Sequence, residues 1–270
     1  MIAPLAFAYE QTDPNLLPRE QRDRIRTAVI DDLAELMLIA VELEAGNVVS
    51  ARQRRATLAH DLLLLDDLGW EEDDERDGFA LMMDPDALRS TLARVRDLDP
   101  DDEEAYAPLV EAVGYAQALV RDRRAPADEE QADDGDLVAV TIARAQRDVL
   151  YDQLVADLSA VGDIYIDLRE GRHGAARRLR RRYFAEMRLL DEIGWGAEDP
   201  GETFAITMDR TALIDTLARL NTVAADGIRV HIDSLTTEQE AARECATACA
   251  AIGDVLADVA RAQGADDAAA

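Results

Sequence analysis

The most concentrated chemistry in this chain is one block, Arg177-Arg178-Leu179-Arg180-Arg181-Arg182. A guanidinium is planar, always charged and carries five N–H donors in a fork, so it pairs with carboxylates and phosphates two bonds at a time. Such a block selects a phosphate group, an acidic partner or RNA as its ligand. Arg52 and Arg55 stand 125 residues before Arg177 and Arg180, which assigns those positions to structure, facing carboxylates. Arg178, Arg181 and Arg182 have no basic counterpart at that spacing and are the candidate partner-binding residues. The acidity of the rest of the chain favours internal salt bridges for the same block, and that is the competing reading.

Other reactive residue types lack the spacing their chemistry requires. Cys245 and Cys249 lie four apart on one helix with no second ligand pair, so they read as small apolar side chains on a buried face. A di-metal carboxylate bundle needs two Glu-x-x-His turns and two further carboxylates. Only Glu170-Gly171-Arg172-His173 matches; it falls on a hairpin turn, and residues 45–48 lack both ligands at the corresponding place. Asp97, Asp99 and Asp101 imitate the start of a calcium loop, but Asp102 stands where glycine is required and Pro108 where the bidentate glutamate belongs. His60, His173 and His231 occupy unrelated positions, so spacing supports no nucleophile–base pair. No catalytic residue, metal or cofactor is assigned.

Composition narrows the partners. The chain has 270 residues and a formal charge of −28; its basic residues are all arginine. A surface this negative disfavours bulk nucleic-acid and anionic-membrane binding and favours solubility or a basic partner, so a phosphate-bearing partner is expected only at the arginine block. Two cysteines exclude a disulfide framework, and no uncharged run reaches spanning length, which points to a cytoplasmic setting without membrane insertion.

The elements that must position these residues occur twice. Asp66-Asp67-Leu68-Gly69-Trp70 and Phe79-Ala80-Leu81-Met82-Met83-Asp84 return as Asp191-Glu192-Ile193-Gly194-Trp195 and Phe204-Ala205-Ile206-Thr207-Met208-Asp209. Laying residues 21–95 on 146–220 without a gap gives 27 identities in 75 positions, and holds Gly, Trp, Phe and Met in one register. This predicts an all-α fold made by tandem duplication of a helical-hairpin unit, packed as a pseudo-two-fold dimer. The expected divisions are an irregular arm at 1–18, copy 1 at 19–124, an acidic linker at 125–136, copy 2 at 137–263 and a tail at 264–270. Gln239-Glu240-Ala241 matches Glu103-Glu104-Ala105 at a longer offset, which places an insertion within 222–236.

Within each copy, apolar residues at three- and four-residue steps (Ile25 to Leu43, Leu150 to Leu168) predict a first helix closed by Gly46 or Gly171. A second helix, 48–68 or 173–193, turns back and ends at Gly69 or Gly194, where the tryptophan lids the hairpin. Arg22 with Asp66, and Arg147 with Asp191, are expected to form ion pairs along it. Phe79-Leu81-Met83 and Phe204-Ile206-Met208 alternate like short strands, expected to pair antiparallel with each other across the two copies. Asp84 and Asp209 cap a third helix, 85–97 or 210–221. A fourth helix opens at Asp99-Pro100, and Thr237 with Glu240 caps the last. The functional expectation is a non-enzymatic, acidic interaction or regulatory module. The competing class is a small-ligand binder, or with less support an enzyme, with its site in the groove between the repeats, near Trp70, Trp195 and His231.

Overall fold

The computed structural model describes residues 16–97, 103–121, 136–196, 201–232 and 238–269. Positions 1–15 of the expected arm, most of the linker, Asp99-Pro100 and the Thr237 cap lie outside them. The described chain is mostly helical. In order it runs β1 (Leu17–Pro18), α1 (Arg19–Asp32), a 3₁₀ turn (Leu33–Leu36), α2 (Met37–Glu44), α3 (Val48–Leu68), β2 (Gly78–Phe79), α4 (Pro85–Asp97) and α5 (Glu103–Arg121). There follow β3 (Leu137–Ala143), α6 (Arg144–Leu158), a second 3₁₀ turn (Ser159–Gly162), α7 (Asp163–Arg169), α8 (His173–Ile193), β4 (Thr203–Asp209), α9 (Arg210–Ile232) and α10 (Glu238–Ala269).

The helix ends follow from local chemistry. Gly46, Gly69, Gly171 and Gly194 are the described residues with positive φ, at +76°, +81°, +72° and +88°. A side chain is rarely tolerated there, so these glycines stop α2, α3, α7 and α8. Asn47 N–H reaches back to Glu42 carbonyl at 2.7 Å and Arg172 N–H to Asp167 carbonyl at 2.7 Å, which closes both hairpin turns in the same way. Asp84 Oδ1 accepts from the amides of Asp86 and Ala87, and Asp209 Oδ1 from that of Ala212, so both aspartates cap as expected.

Several expectations are corrected. The first helix is not continuous: a 3₁₀ turn separates α1 from α2 and α6 from α7. The third helix of the second half does not stop at 221, because α9 runs on to Ile232 and takes up part of the expected insertion. The last helix likewise continues through most of the expected tail, since α10 ends at Ala269. The strands do not pair with each other either. β2 pairs with β1, Leu17 opposite Phe79, and β4 pairs with β3, Ile142 opposite Phe204, both antiparallel. The partner of each strand is thus the segment just before its own first helix. Leu137-Val138-Ala139-Val140-Thr141-Ile142-Ala143 alternates exposed and buried residues throughout, and one face is enough to hold a seven-residue ladder.

The chain forms two compact units, and neither is a sequential half. The first comprises Met1–Ala34, Ala56–Glu129 and Tyr165–His173; the second comprises Glu35–Arg55, Glu130–Ile164 and Gly174–Ala270. In the first, Leu17, Ile25, Val29, Leu62, Phe79 and Leu92 are fully buried. In the second, Leu150, Leu154, Ile206, Leu217, Ile252 and Val255 are. Among the described residues no helix is long and apolar enough to cross a membrane.

Candidate functional site

A helix leaves its last carbonyls without intrahelical partners. In the first unit the fully buried Arg22 supplies them: its guanidinium donates to the carbonyls of Leu68 at 2.5 Å, Gly69 at 3.0 Å and Glu71 at 2.5 Å. Arg147 does the same in the second unit, donating to Ile193 at 2.9 Å, Gly194 at 3.0 Å and Gly196. The expected ion pairs to Asp66 and Asp191 are therefore corrected. A five-donor fork matches a cluster of carbonyls, and the two aspartates instead accept the indole N–H of Trp70 (2.9 Å) and Trp195 (2.8 Å). Both tryptophans are buried, at 3% exposure, so they seal the ends of α3 and α8 within separate units. The carboxylate of Asp67 then accepts the amides of Met82 and Met83, and Glu192 that of Thr207, which ties the following segment to the helix end.

One layer further in, each unit holds a carboxylate pair bridged by arginine. In the first, Arg94 donates to both Asp32 and Asp61. In the second, Arg219 donates to Asp157 at 2.6 Å and to Glu186 at 2.5 Å. Arg182 joins this second pair, donating to Glu186 at 2.8 Å and to both the carboxylate and the carbonyl of Asp157. Asp61 and Glu186 are completely buried, and each keeps one carboxyl oxygen without a hydrogen-bond partner among the described residues. Burial pushes both up to about 8, aided by the neighbouring Asp32 or Asp157 carboxylate and opposed by the arginines. At neutral pH Asp61 and Glu186 therefore hold their protons, and the second assembly has one arginine more than the first.

A groove opens above each assembly. The first, about 230 Å³, is lined by Ala56, Thr57, His60, Ser90, Thr91 and Arg94. The second, about 420 Å³, has Arg178, Arg181, Arg182 and Arg219 in its walls, with Asp209 and Asp215 among the remaining residues. The two lie at matching positions: Thr57, Thr91 and Arg94 stand 125 residues before Arg182, Thr216 and Arg219.

The candidate arginines thus separate. Arg182 is committed to Asp157 and Glu186. Arg178 and Arg181 are exposed and make no ion pair or hydrogen bond among the described residues. Of the positions assigned to structure, Arg55 donates to Asp191 at 2.7 Å, Arg52 lies 5.7 Å over the Trp195 ring, and Arg180 lies 4.9 Å over the Phe184 ring. His231 falls in α9, where its side chain is outside the described residues. A further hollow of about 520 Å³, within the second unit, is lined by Asp152, Gln153, Arg243, Glu244 and Cys245 among others. Asp152 and Glu244 set two carboxylates against the single Arg243 in its lining, so it offers no excess of positive charge to an anion. No group of three His, Cys, Asp or Glu side chains among the described residues is placed to hold a metal ion.

Sequence reasoning misses the buried acid pairs. The signal is present: Asp32 and Arg94 recur as Asp157 and Arg219, and Asp61 recurs as Glu186. Comparison of the chain with protein-family models, curated proteins and solved structures gives no match.

Proposed function

We propose that the chain is a fused pseudo-dimer, produced by tandem duplication, that works as a non-enzymatic cytoplasmic interaction module and meets an anionic group of its partner at the arginine groove of the second unit. The duplication is supported by paired geometry at one spacing: Arg22 and Arg147, Trp70 and Trp195, and the two strand ladders repeat their interactions 125 residues apart. An approach between equivalent positions supports it independently. A Cβ on Gly162 would overlap Cγ of Met37, and these residues are themselves 125 apart. Self-contact of equivalent residues is the mark of an isologous interface at its axis.

The observation that carries the function is the pair Arg178 and Arg181. On a chain with a net charge of −28, two exposed guanidiniums without partners among the described residues stand at the edge of a concave surface. A structural arginine in such a field is expected to find a carboxylate, as Arg182 has done. In sequence, Gln53 and Ala56 stand 125 residues before Arg178 and Arg181, and the groove of the first unit is lined by one arginine, Arg94, in place of four.

The test uses the full chain and its R178E/R181E variant as bait at low and physiological salt. Partners retained by the parent protein at low salt are expected to be lost from the variant and weakened by salt. Equal retention by both proteins would remove the groove as the working surface.

A further inference from the structure

We propose that the group seated in the second unit's groove is a phosphate monoester, recognised as its dianion; this rests on the reading of that groove as the binding surface. Arg178, Arg181 and Arg182 are spaced i, i+3 and i+4 on α8, so all three fall on one helical face, and Arg219 comes from α9 to form the other wall. Thr216, three residues before Arg219, also lines the groove. Its hydroxyl oxygen is buried at 1% residue exposure and has no hydrogen-bond partner among the described residues. At the matching place in the first unit, Thr91 donates its hydroxyl to the Ala87 carbonyl at 2.9 Å. The second groove therefore counts among its lining residues one unpartnered hydroxyl and two uncommitted guanidiniums.

Valence selects phosphate over carboxylate. A carboxylate offers two coplanar oxygens and one charge, which a single guanidinium fork satisfies. Phosphate offers three oxygens and close to two charges, and so engages the two uncommitted forks of Arg178 and Arg181 together with a hydroxyl. The groove also contains acids. Asp209 has an oxygen on the Ala212 amide, and Asp215 is exposed. Together with the surrounding field they repel an extended polyanion, whereas a compact dianion sees chiefly the nearest arginines, because fields are screened beyond about 8 Å at physiological salt. Nucleic acid is disfavoured on the same ground.

The experiment titrates the full-length protein with a fluorescein-labelled phosphoserine peptide of otherwise neutral sequence. Its unphosphorylated twin and a glutamate-for-phosphoserine twin are titrated alongside, with phenyl phosphate as competitor. The phosphopeptide is expected to bind about 10-fold or more tightly than either twin, the effect of making or losing one charge-assisted hydrogen bond. R178Q/R181Q is expected to weaken it by about 10-fold or more while leaving the circular dichroism spectrum and Tm unchanged, because both side chains are exposed. Thr216→Val weakens it further, and affinity rises between pH 5.5 and 7.5 as the monoester takes its second charge near pH ~6. Displacement by phenyl phosphate at concentrations similar to the unlabelled phosphopeptide identifies a small phosphorylated molecule as the natural source. Much weaker displacement identifies a phosphorylated partner. If the glutamate peptide binds equally well and with the same dependence on Arg178 and Arg181, the phosphate assignment falls and the anionic-partner reading stands. If no probe binds, or R178Q/R181Q binds unchanged, the assignment is overturned.

Discussion

At the scale of single residues, the buried acids govern how this protein responds to pH. Asp61 and Glu186 keep their protons in the folded chain up to about pH 8, whereas the unfolded chain releases them near the ordinary values of 3.8 and 4.5. Between those limits the folded state binds more protons, so stability falls as pH rises. Their contribution is complete below the ordinary values and is lost as pH passes about 8. Glu186→Gln has the shape of the protonated acid and nothing to lose on deprotonation. Its denaturation midpoint, followed in urea from pH 5.5 to 8.5, should decline less steeply than that of the parent and overtake it at the alkaline end. Parallel declines would show that Glu186 is ionised throughout. The same residues explain a limit of sequence reading. A lone Asp61 on a helix resembles any solvated carboxylate, and Glu186, 125 residues on, is passed over by an identity count because the residue type differs. Arg22 is misassigned from sequence for a related reason. An aspartate at a suitable offset is an obvious partner, while the carbonyls at a helix end have no letter in the sequence.

At the scale of elements, the tightest backbone approach among the described glycines is Gly162 against Met37. Gly162→Ala would force the Cγ and Sδ of Met37 to move, an overpacking expected to cost about 1–3 kcal/mol. Shortening the opposing side chain should recover most of that loss, so M37A/G162A ought to be more stable than G162A alone in thermal melts. Additive losses would place the defect in the 3₁₀ turn itself. What is legible in the sequence at this scale is periodic or punctuated. The helices Val48–Leu68, His173–Ile193 and Pro85–Asp97 can be read with their ends because glycine, aspartate and proline mark them. The strand Leu137–Ala143 is equally periodic, but it adjoins the acidic linker and merges with the helical unit that follows. The matching 125-residue spacing of Phe79 and Phe204 suggests that the strands pair with each other, when the nearer choice is the segment beside each first helix. The groove escapes for a different reason: concavity arises from two helices meeting, and neither helix announces it alone.

At the scale of the whole molecule, net charge sets the dependence on salt. A charge of −28 on 270 residues makes the compact state repel itself. Raising sodium chloride from about 0.01 M to about 0.5 M shortens the screening length severalfold, and Tm should rise accordingly. A falling Tm would mean that the ion pairs around Arg94, Arg182 and Arg219 outweigh the overall repulsion. Such pairs are buried and little screened, so they are expected to persist at the higher salt. The binding proposed for the arginine groove is expected to move the opposite way and weaken with salt, which separates the two effects in a single titration series.

The first unit draws on Tyr165–His173, which lies beyond the segment joining the two halves. On the ribosome, α1, α3 and α4 emerge long before the residues that complete their unit. A stalled nascent chain ending near residue 130 would therefore present an unfinished core to chaperones and proteases, and protection should appear only once α7 has cleared the exit tunnel.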